Sequence, residues 1–274
     1  MSLSLPDIGL GTYRMTDRDE CVRAVETALT AGYRHVDTAQ MYDNESFVGE
    51  ALETVFESDA GVDRDDVVVA TKLDTDNTGF DDARSTARES RARLGLDAID
   101  LLYVHWPIGT YDPEETLPAL DGLVDDGVTR AIGLSNFTPA QLEHAIDRLD
   151  HDLFAHQVEM HPLLQQRDLH DLAREHGHYL VAYCPIARNR VTDVPVLESI
   201  AAAHDATPAQ VSLAWLATKE QVVPIPKASS PDHIRENLAA LELTLSSDEI
   251  ARIDALADDH HERVVDFEAA PWNR

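Results

Sequence analysis

Eight short apolar runs recur along the chain, with segments of helical length between most of them. They are IGLGTY (8–13), YRHVDTA (33–39), VVVATKL (67–73), IDLLYVHW (99–106), TRAIGLSN (129–136), AHQVEM (155–160), YLVAYCP (179–185) and VVPIPK (222–227). Most are rich in Val, Ile or Leu and bounded by polar residues, the pattern of strands buried on both faces. The segments between them are amphipathic. Asp17 to Ala31 opens with acids and stops at Gly32, Pro139 to Leu149 follows the cap-like Thr138, and another helix runs from Pro231 through NLAALEL. Alternation of this kind places parallel strands side by side with crossover helices between them. An open doubly wound sheet and a closed barrel both satisfy it. The dinucleotide fingerprint of the open sheet is missing, because Arg14 stands where a third glycine would follow Gly9 and Gly11. Eight units in 274 residues therefore predict an α/β fold, a single (β/α)8 barrel spanning residues 1–274.

Charge narrows the partners. The chain carries 51 Asp plus Glu against 22 Lys plus Arg, a formal charge of −29. Phosphate backbones need a basic footprint, so nucleic acid is not expected as a partner. The acids are spread along the chain, which points to a solvated acidic surface and a salt-loving source. Cys21 and Cys184 show no metal-ligand spacing and suit a reducing interior. The start MSLSLPDIG lacks a basic region and long apolar run, and no stretch approaches a membrane span. A cytoplasmic location is expected. Lysine is informative by scarcity: only Lys72, Lys219 and Lys227 occur, and two of them end strand-like runs.

In such a barrel, chemistry gathers at the C-terminal strand ends. Those ends carry Asp37, Lys72, His105, Ser135 with Asn136, Gln157 with Glu159, Tyr183 and Lys227, and Tyr42 lies on the turn beyond the second run. An acid, an ammonium, a phenol and an imidazole would share one mouth. Taken singly, each has a plainer reading. A tyrosine near a helix start usually packs, a terminal lysine is usually solvated, and His105 and Trp106 could be core. His156, Glu159 and His161 form H-x-x-E-x-H, which is not the zinc spacing of two histidines one helical turn apart. On a strand, His156 and His161 would face opposite ways. His260–His261 reads as solvated surface, so no metal is expected.

The ordered set GLGTY (9–13), GYRHVDTAQMYDNE (32–45), TKL (71–73), VHWP (104–107), IGLSNF (132–137), QVEMHP (157–162), AYCPIA (182–187) and IPKASSPDHIREN (225–237) resembles the aldo-keto reductases over nearly the full chain. The closest branch by resemblance is that of prokaryotic 2,5-diketogluconate reductases. The resemblance implies hydride transfer between a nicotinamide cofactor and a small carbonyl substrate. It assigns proton donation to Tyr42, with Asp37, Lys72 and His105 completing the catalytic set. A free phenol has a pKa near ~10. Lys72 is expected to lower it, and a shift of about three units is worth roughly 4 kcal/mol.

The resemblance further implies cofactor contacts from Thr12, Asp37, Ser135, Asn136, Gln157 and Tyr183 around the nicotinamide half. Lys227, Ser229, Ser230, His233, Glu236 and Asn237 would hold the adenosine end. A helix starting near Pro231 would aim its amides at phosphate. Two positions depart from the pattern. His233 stands where NADPH-preferring members often carry arginine, and Ala228 stands where serine is frequent. NADP(H) is expected, with a weakened preference and some use of NAD(H). Tyr13, Tyr42, His105, Trp106 and Trp272 are the expected substrate contacts. The short segment from Ile186 to Val196 suggests an open pocket without a large lid. A monomer is expected. Two other functions stay open: a cofactor-binding regulatory subunit with negligible turnover, and an aldolase-like enzyme using Lys72 as a Schiff base.

Overall fold

A computed structural model describes residues 3–259 and 261–273. The eight runs form one sheet of parallel neighbours in chain order. The strands are β1 (Leu10–Gly11), β2 (His35–Asp37), β3 (Val68–Leu73), β4 (Leu101–Val104), β5 (Ile132–Ser135), β6 (Leu153–Glu159), β7 (Tyr179–Tyr183) and β8 (Val222–Pro224). The sheet closes on itself. Gly9 N–H donates to Pro224 O at 3.0 Å, Gly11 N–H donates to Pro226 O at 3.1 Å, and Gly11 bridges Lys227 in parallel. The expected (β/α)8 barrel is what forms.

The helices are α1 (Arg18–Ala31), α2 (Glu45–Phe56), α3 (Phe80–Arg93), α4 (Pro113–Asp125), α5 (Pro139–Ile146), α6 (Arg167–His176), α7 (Pro195–Ala203), α8 (Pro208–Ala217), α9 (Pro231–Ala239), α10 (Ser247–Asp254) and α11 (Leu256–Asp259). Local chemistry sets their starts. Asp17 accepts from Glu20 N–H to cap α1, and Thr138 with Gln141 makes a reciprocal cap on α5, contacts worth about 1 kcal/mol each. Helix α5 ends at Ile146, and the chain continues to Leu149 as a turn in which Arg148 and Leu149 N–H both reach Ala145 O. The last expected helix breaks at Ala239 into a short 3-10 turn, Ala240–Glu242. Several strands are shorter than their apolar runs, because the residues just past the ladder stay buried in the loops above it.

The core has two layers. Inside the barrel, Val68, Ala70, Leu101, Tyr103, Ala155, Val181 and Val223 pack together, with Leu5 closing the N-terminal end. A larger layer fills the space between strands and helices. Gly133 lets the interior close, since the Tyr103 ring occupies the space any side chain at 133 would need. Among the described residues no helix is long and apolar enough to cross a membrane.

Of the five histidines buried among the described residues, His105 and His161 belong to the rim, while His35 (0% exposed), His156 (0%) and His178 (1%) belong to this framework. Both ring nitrogens of His35 and of His178 lack hydrogen-bond partners among the described residues. Burial holds the three neutral, lowering their pKa from 6.5 to about 4, about 3 and about 4 for His35, His156 and His178. In the unfolded chain each takes up a proton below 6.5, so the unfolded state binds more protons and gains as pH falls. Their contribution is fully present above that value and is lost down to the folded pKa, at about 3 kcal/mol for His35 and for His178 and about 5 kcal/mol for His156. We expect the melting temperature at fixed salt to fall steeply as pH drops below 6.5, with a shallower fall in His178→Gln. A melting temperature level across that interval would contradict the assignment.

Candidate active site

Strand periodicity explains how the polar residues meet. Side chains two apart on a strand share a face. The interior rows run Val68, Ala70 to Lys72 on β3, Leu101, Tyr103 to His105 at the end of β4, and Ala155 to Gln157 and Glu159 on β6. Likewise Val181 leads to Tyr183 on β7, and His35 to Asp37 on β2. Each row is thus largely apolar low in the barrel and polar at its C-terminal rim.

At the rim, Asp37 (2% exposed) and Lys72 (0% exposed) form an ion pair. Lys72 Nζ also donates to Thr38 O at 2.8 Å, and Asp37 Oδ2 accepts from Gln157 Nε2 at 2.7 Å. Thr12 donates its hydroxyl to the backbone carbonyl of Asp37 at 3.0 Å. Tyr42 ends a 3-10 turn, Gln40–Tyr42, and is half-buried. Lys72 Nζ lies 5.3 Å from the Tyr42 ring centre, while the rings of His105 and Tyr13 lie 5.7 and 5.1 Å from it. Trp106 stacks beside His105 at 6.3 Å. The structure therefore brings Asp37, Tyr42, Lys72 and His105 together.

Their electrostatics differ from the expectation in one respect. The Tyr42 phenol is pushed well above its ordinary value of 10.0, first by burial, then by the Asp37 carboxylate and Tyr13. A downward shift by Lys72 was expected. The ammonium is instead in contact with Asp37 and Thr38, and the dehydrated setting together with the nearby carboxylate favours the protonated phenol. Burial lowers the Lys72 pKa, with Asp37 opposing. His105 is held well below 6.5 by burial and by Lys72, and its imidazole is neutral.

On the β5 to β7 side, Ser135 Oγ donates to Gln157 O at 3.0 Å, and Asn136 Nδ2 donates to His105 O at 3.0 Å. Asn136 adopts a left-handed backbone (φ 65°), which turns the chain off the strand, and its Oδ1 accepts from the Tyr183 hydroxyl at 2.8 Å. The Tyr183 ring is half-buried. Beyond β8, Lys227 Nζ lies 3.3 Å from Ser229 Oγ and 3.5 Å from Glu20 Oε1. Ser230 caps α9 by accepting from His233 N–H at 3.2 Å; His233 and Glu236 are exposed and Asn237 is buried. A half-buried aromatic ring among amides and hydroxyls, followed along the rim by an accessible ammonium and a helix N-terminus, fits a nicotinamide dinucleotide by donor chemistry.

The C-terminal segment completes the mouth. Trp272 and Phe267 lie 5.7 and 4.9 Å from Trp106, ring centre to ring centre. The Arg263 guanidinium sits 3.7 Å over the Trp272 ring, whose Nε1 donates to Asp266 at 2.9 Å. Trp272, expected as a substrate contact, thus lies beside Trp106. Phe267 was not singled out, since an aromatic in an irregular tail carries no periodic signal. Glu20 opposite Lys227 was missed as well, being remote in sequence. Between Ile186 and the start of α7 at Pro195 the chain forms a tight 3-10 turn, Ala187–Asp193, in which Arg188 and Asn189 have positive φ. His156 Nε2 accepts from Phe137 N–H at 3.3 Å, and His161 pairs with Glu159 at 3.0 Å. Among the described residues no cluster of metal ligands occurs, and His260 lies outside them.

Residues 7–258 match the Aldo/keto reductase family. A methylglyoxal reductase from Salmonella typhimurium is 38% identical, covering 99% of this chain and 100% of that protein. A solved structure described as a putative 2,5-diketo-D-gluconic acid reductase B superposes with a TM-score of 0.91 at 36% identity, over 97% of this chain and 92% of the other. A Bombyx mori aldo-keto reductase, solved in complex with NADP, superposes at 0.88 with 28% identity, over 97% of this chain and 93% of that one. The chain belongs to the aldo-keto reductase family.

Proposed function

We propose that the protein reduces small aldehydes, ketones or keto-sugars to alcohols with NADP(H), using Tyr42 as proton donor. The observation that carries this reading is the meeting of Asp37, Tyr42, Lys72 and His105 at one barrel mouth, beside a surface suited to a dinucleotide. The relatives named for methylglyoxal and diketogluconate reduction support the substrate class. The NADP complex of the silkworm relative supports the cofactor.

When bound, the nicotinamide supplies a hydride to the carbonyl carbon. The chain's residues handle the oxygen. Tyr42, protonated at neutral pH, gives its proton to the carbonyl oxygen as the C=O π bond breaks, so that a C–H and an O–H bond replace it. Neutral His105 orients that oxygen by a hydrogen bond. Lys72, fixed by Asp37 and Thr38, keeps a cationic centre beneath the phenol that steadies the phenolate left behind. Ser135, Asn136 and Gln157 orient the carboxamide and Tyr183 stacks on the ring. Thr12, just past β1, steadies Asp37 through its backbone carbonyl. Tyr13, Trp106 and Trp272 line the substrate side.

A Schiff-base role for Lys72 is disfavoured by its two hydrogen bonds to acceptors and its full burial. A silent regulatory role is disfavoured by the complete catalytic set. We further propose that one barrel domain, residues 1–274, carries the whole activity, as a cytoplasmic monomer of a salt-rich cell. The charge of −29 then repels itself least in concentrated electrolyte, and the melting temperature should climb as potassium chloride is raised to molar levels.

The first test is reduced-cofactor oxidation with glyceraldehyde or methylglyoxal in molar potassium chloride. Tyr42→Phe should lower kcat by about 10²-fold or more, leaving the Kd for NADPH, read by fluorescence quenching, nearly unchanged. Full activity in that variant would remove Tyr42 as donor. His233 places no permanent charge at the adenosine end, so both NADPH and NADH should serve. His233→Arg should shift the ratio of their Kd values toward NADPH by about tenfold, the worth of one charge-assisted phosphate contact. An unchanged ratio would show that position 233 does not meet the 2′-phosphate.

A further inference from the structure

Glu159 is the last residue of β6, and its side chain is 0% exposed. Three donors converge on its carboxylate. Oε1 accepts from Val264 N–H at 2.6 Å and faces His161 Nε2 at 3.0 Å, and Oε2 accepts from Val265 N–H at 2.8 Å. His161 is itself 0% exposed and held by backbone bonds to Leu164, so its imidazole is a fixed support rather than a mobile partner. An ionised carboxylate offers only acceptors and therefore matches two consecutive backbone N–H groups and an imidazole N–H at once. An amide in its place would turn a donor toward one of them.

What the carboxylate holds is the start of the segment that covers the mouth. Past Val265 the chain folds on itself: Asp266 accepts from Trp272 Nε1 at 2.9 Å and from Asn273 Nδ2 at 2.8 Å, and Ala270 N–H donates to Phe267 O at 3.0 Å. This small knot meets the barrel through Phe267 and Trp272 on Trp106. Before Val264 a second tie exists, from Glu262 N–H to Leu163 O at 2.9 Å, on the loop following the same strand. One strand end thus bears Gln157, bonded to Asp37, and two residues later Glu159, bonded to the tail.

We propose that Glu159 is a positioning residue: by clamping the backbone at Val264 and Val265 it sets where Phe267 and Trp272 stand, and so the size of the carbonyl pocket. The inference rests on the reductase reading for its kinetic consequence, but the clamp itself is testable without substrate. In the wild-type protein, hydrogen exchange at the Val264 and Val265 amides should be as slow as in the barrel strands. Glu159→Gln should speed exchange in residues 264–273 by about a hundredfold, leaving the strands unchanged. Glu159→Asp, which keeps both acceptors, should retain part of the protection.

Kinetically, Glu159→Gln should raise KM for glyceraldehyde about tenfold with kcat within about twofold, and lower KM for a bulky aryl ketone. Fast exchange at Val264 and Val265 in the wild type would overturn the clamp. So would a loss of protection spread evenly over the strands, or unchanged KM values for both substrates in a protein whose tail has been freed. A wild-type protein inert toward every carbonyl would sink the reductase reading instead, and the exchange measurement would still decide the clamp.

Discussion

The site depends on one buried ion pair. Asp37 and Lys72 sit on neighbouring strands at the rim of the barrel, removed from water. Taking two charges out of water costs several kcal/mol per ion, and their attraction repays it only when the remaining hydrogen-bonding capacity is met. Part of it is met here by Thr38 O on the ammonium and Gln157 Nε2 on the carboxylate. The pair therefore ties β2, β3 and β6 together at the level where Tyr42 and His105 stand. Hydrophobic replacements could fill the same volume, so stability alone does not account for the pair. A fixed cation beneath a phenol does.

Burial and that pair together set the charge state of the mouth. Burial, reinforced by the ammonium, suppresses protonation of His105, and burial, reinforced by the carboxylate, keeps Tyr42 protonated. A neutral imidazole beside a protonated phenol is an arrangement for giving a proton to an oxygen, which is what reduction of a carbonyl requires. The large negative charge of the chain stays outside this chemistry. It is carried largely by exposed acids, many of them paired with arginines, as Asp126 is with Arg84 and Arg88. Beyond β8 the acidic exterior does intrude, since Glu20 Oε1 lies 3.5 Å from Lys227 Nζ.

The catalytic rim was legible because it obeys a period of two. Once the eight runs were placed, residues at the ends of interior rows could be listed from the sequence, and Lys72, His105, Gln157 and Tyr183 all fall on such rows. Tyr42 required the resemblance as well, because it lies on a turn whose direction no periodicity encodes. The direction of its pKa was misjudged for a related reason. A nearby lysine suggests a lowered phenol, but the effect of an ammonium depends on what else it touches, and contact with Asp37 is a three-dimensional fact.

The alternation of strand and helix, the turn and cap residues, and the polar ends of apolar strands by themselves determined the barrel and which side chains stand at most of its rim. These are properties of local chain chemistry, repeated often enough to leave one closed architecture. Tertiary structure alone decided how residues distant in sequence meet: Glu20 with Lys227, Trp272 and Phe267 with Trp106, and Glu159 with the backbone of Val264 and Val265. Backbone N–H groups are the same at every residue, so no sequence pattern marks which of them a buried carboxylate will bind. That choice is made by the path of the tail over the finished barrel.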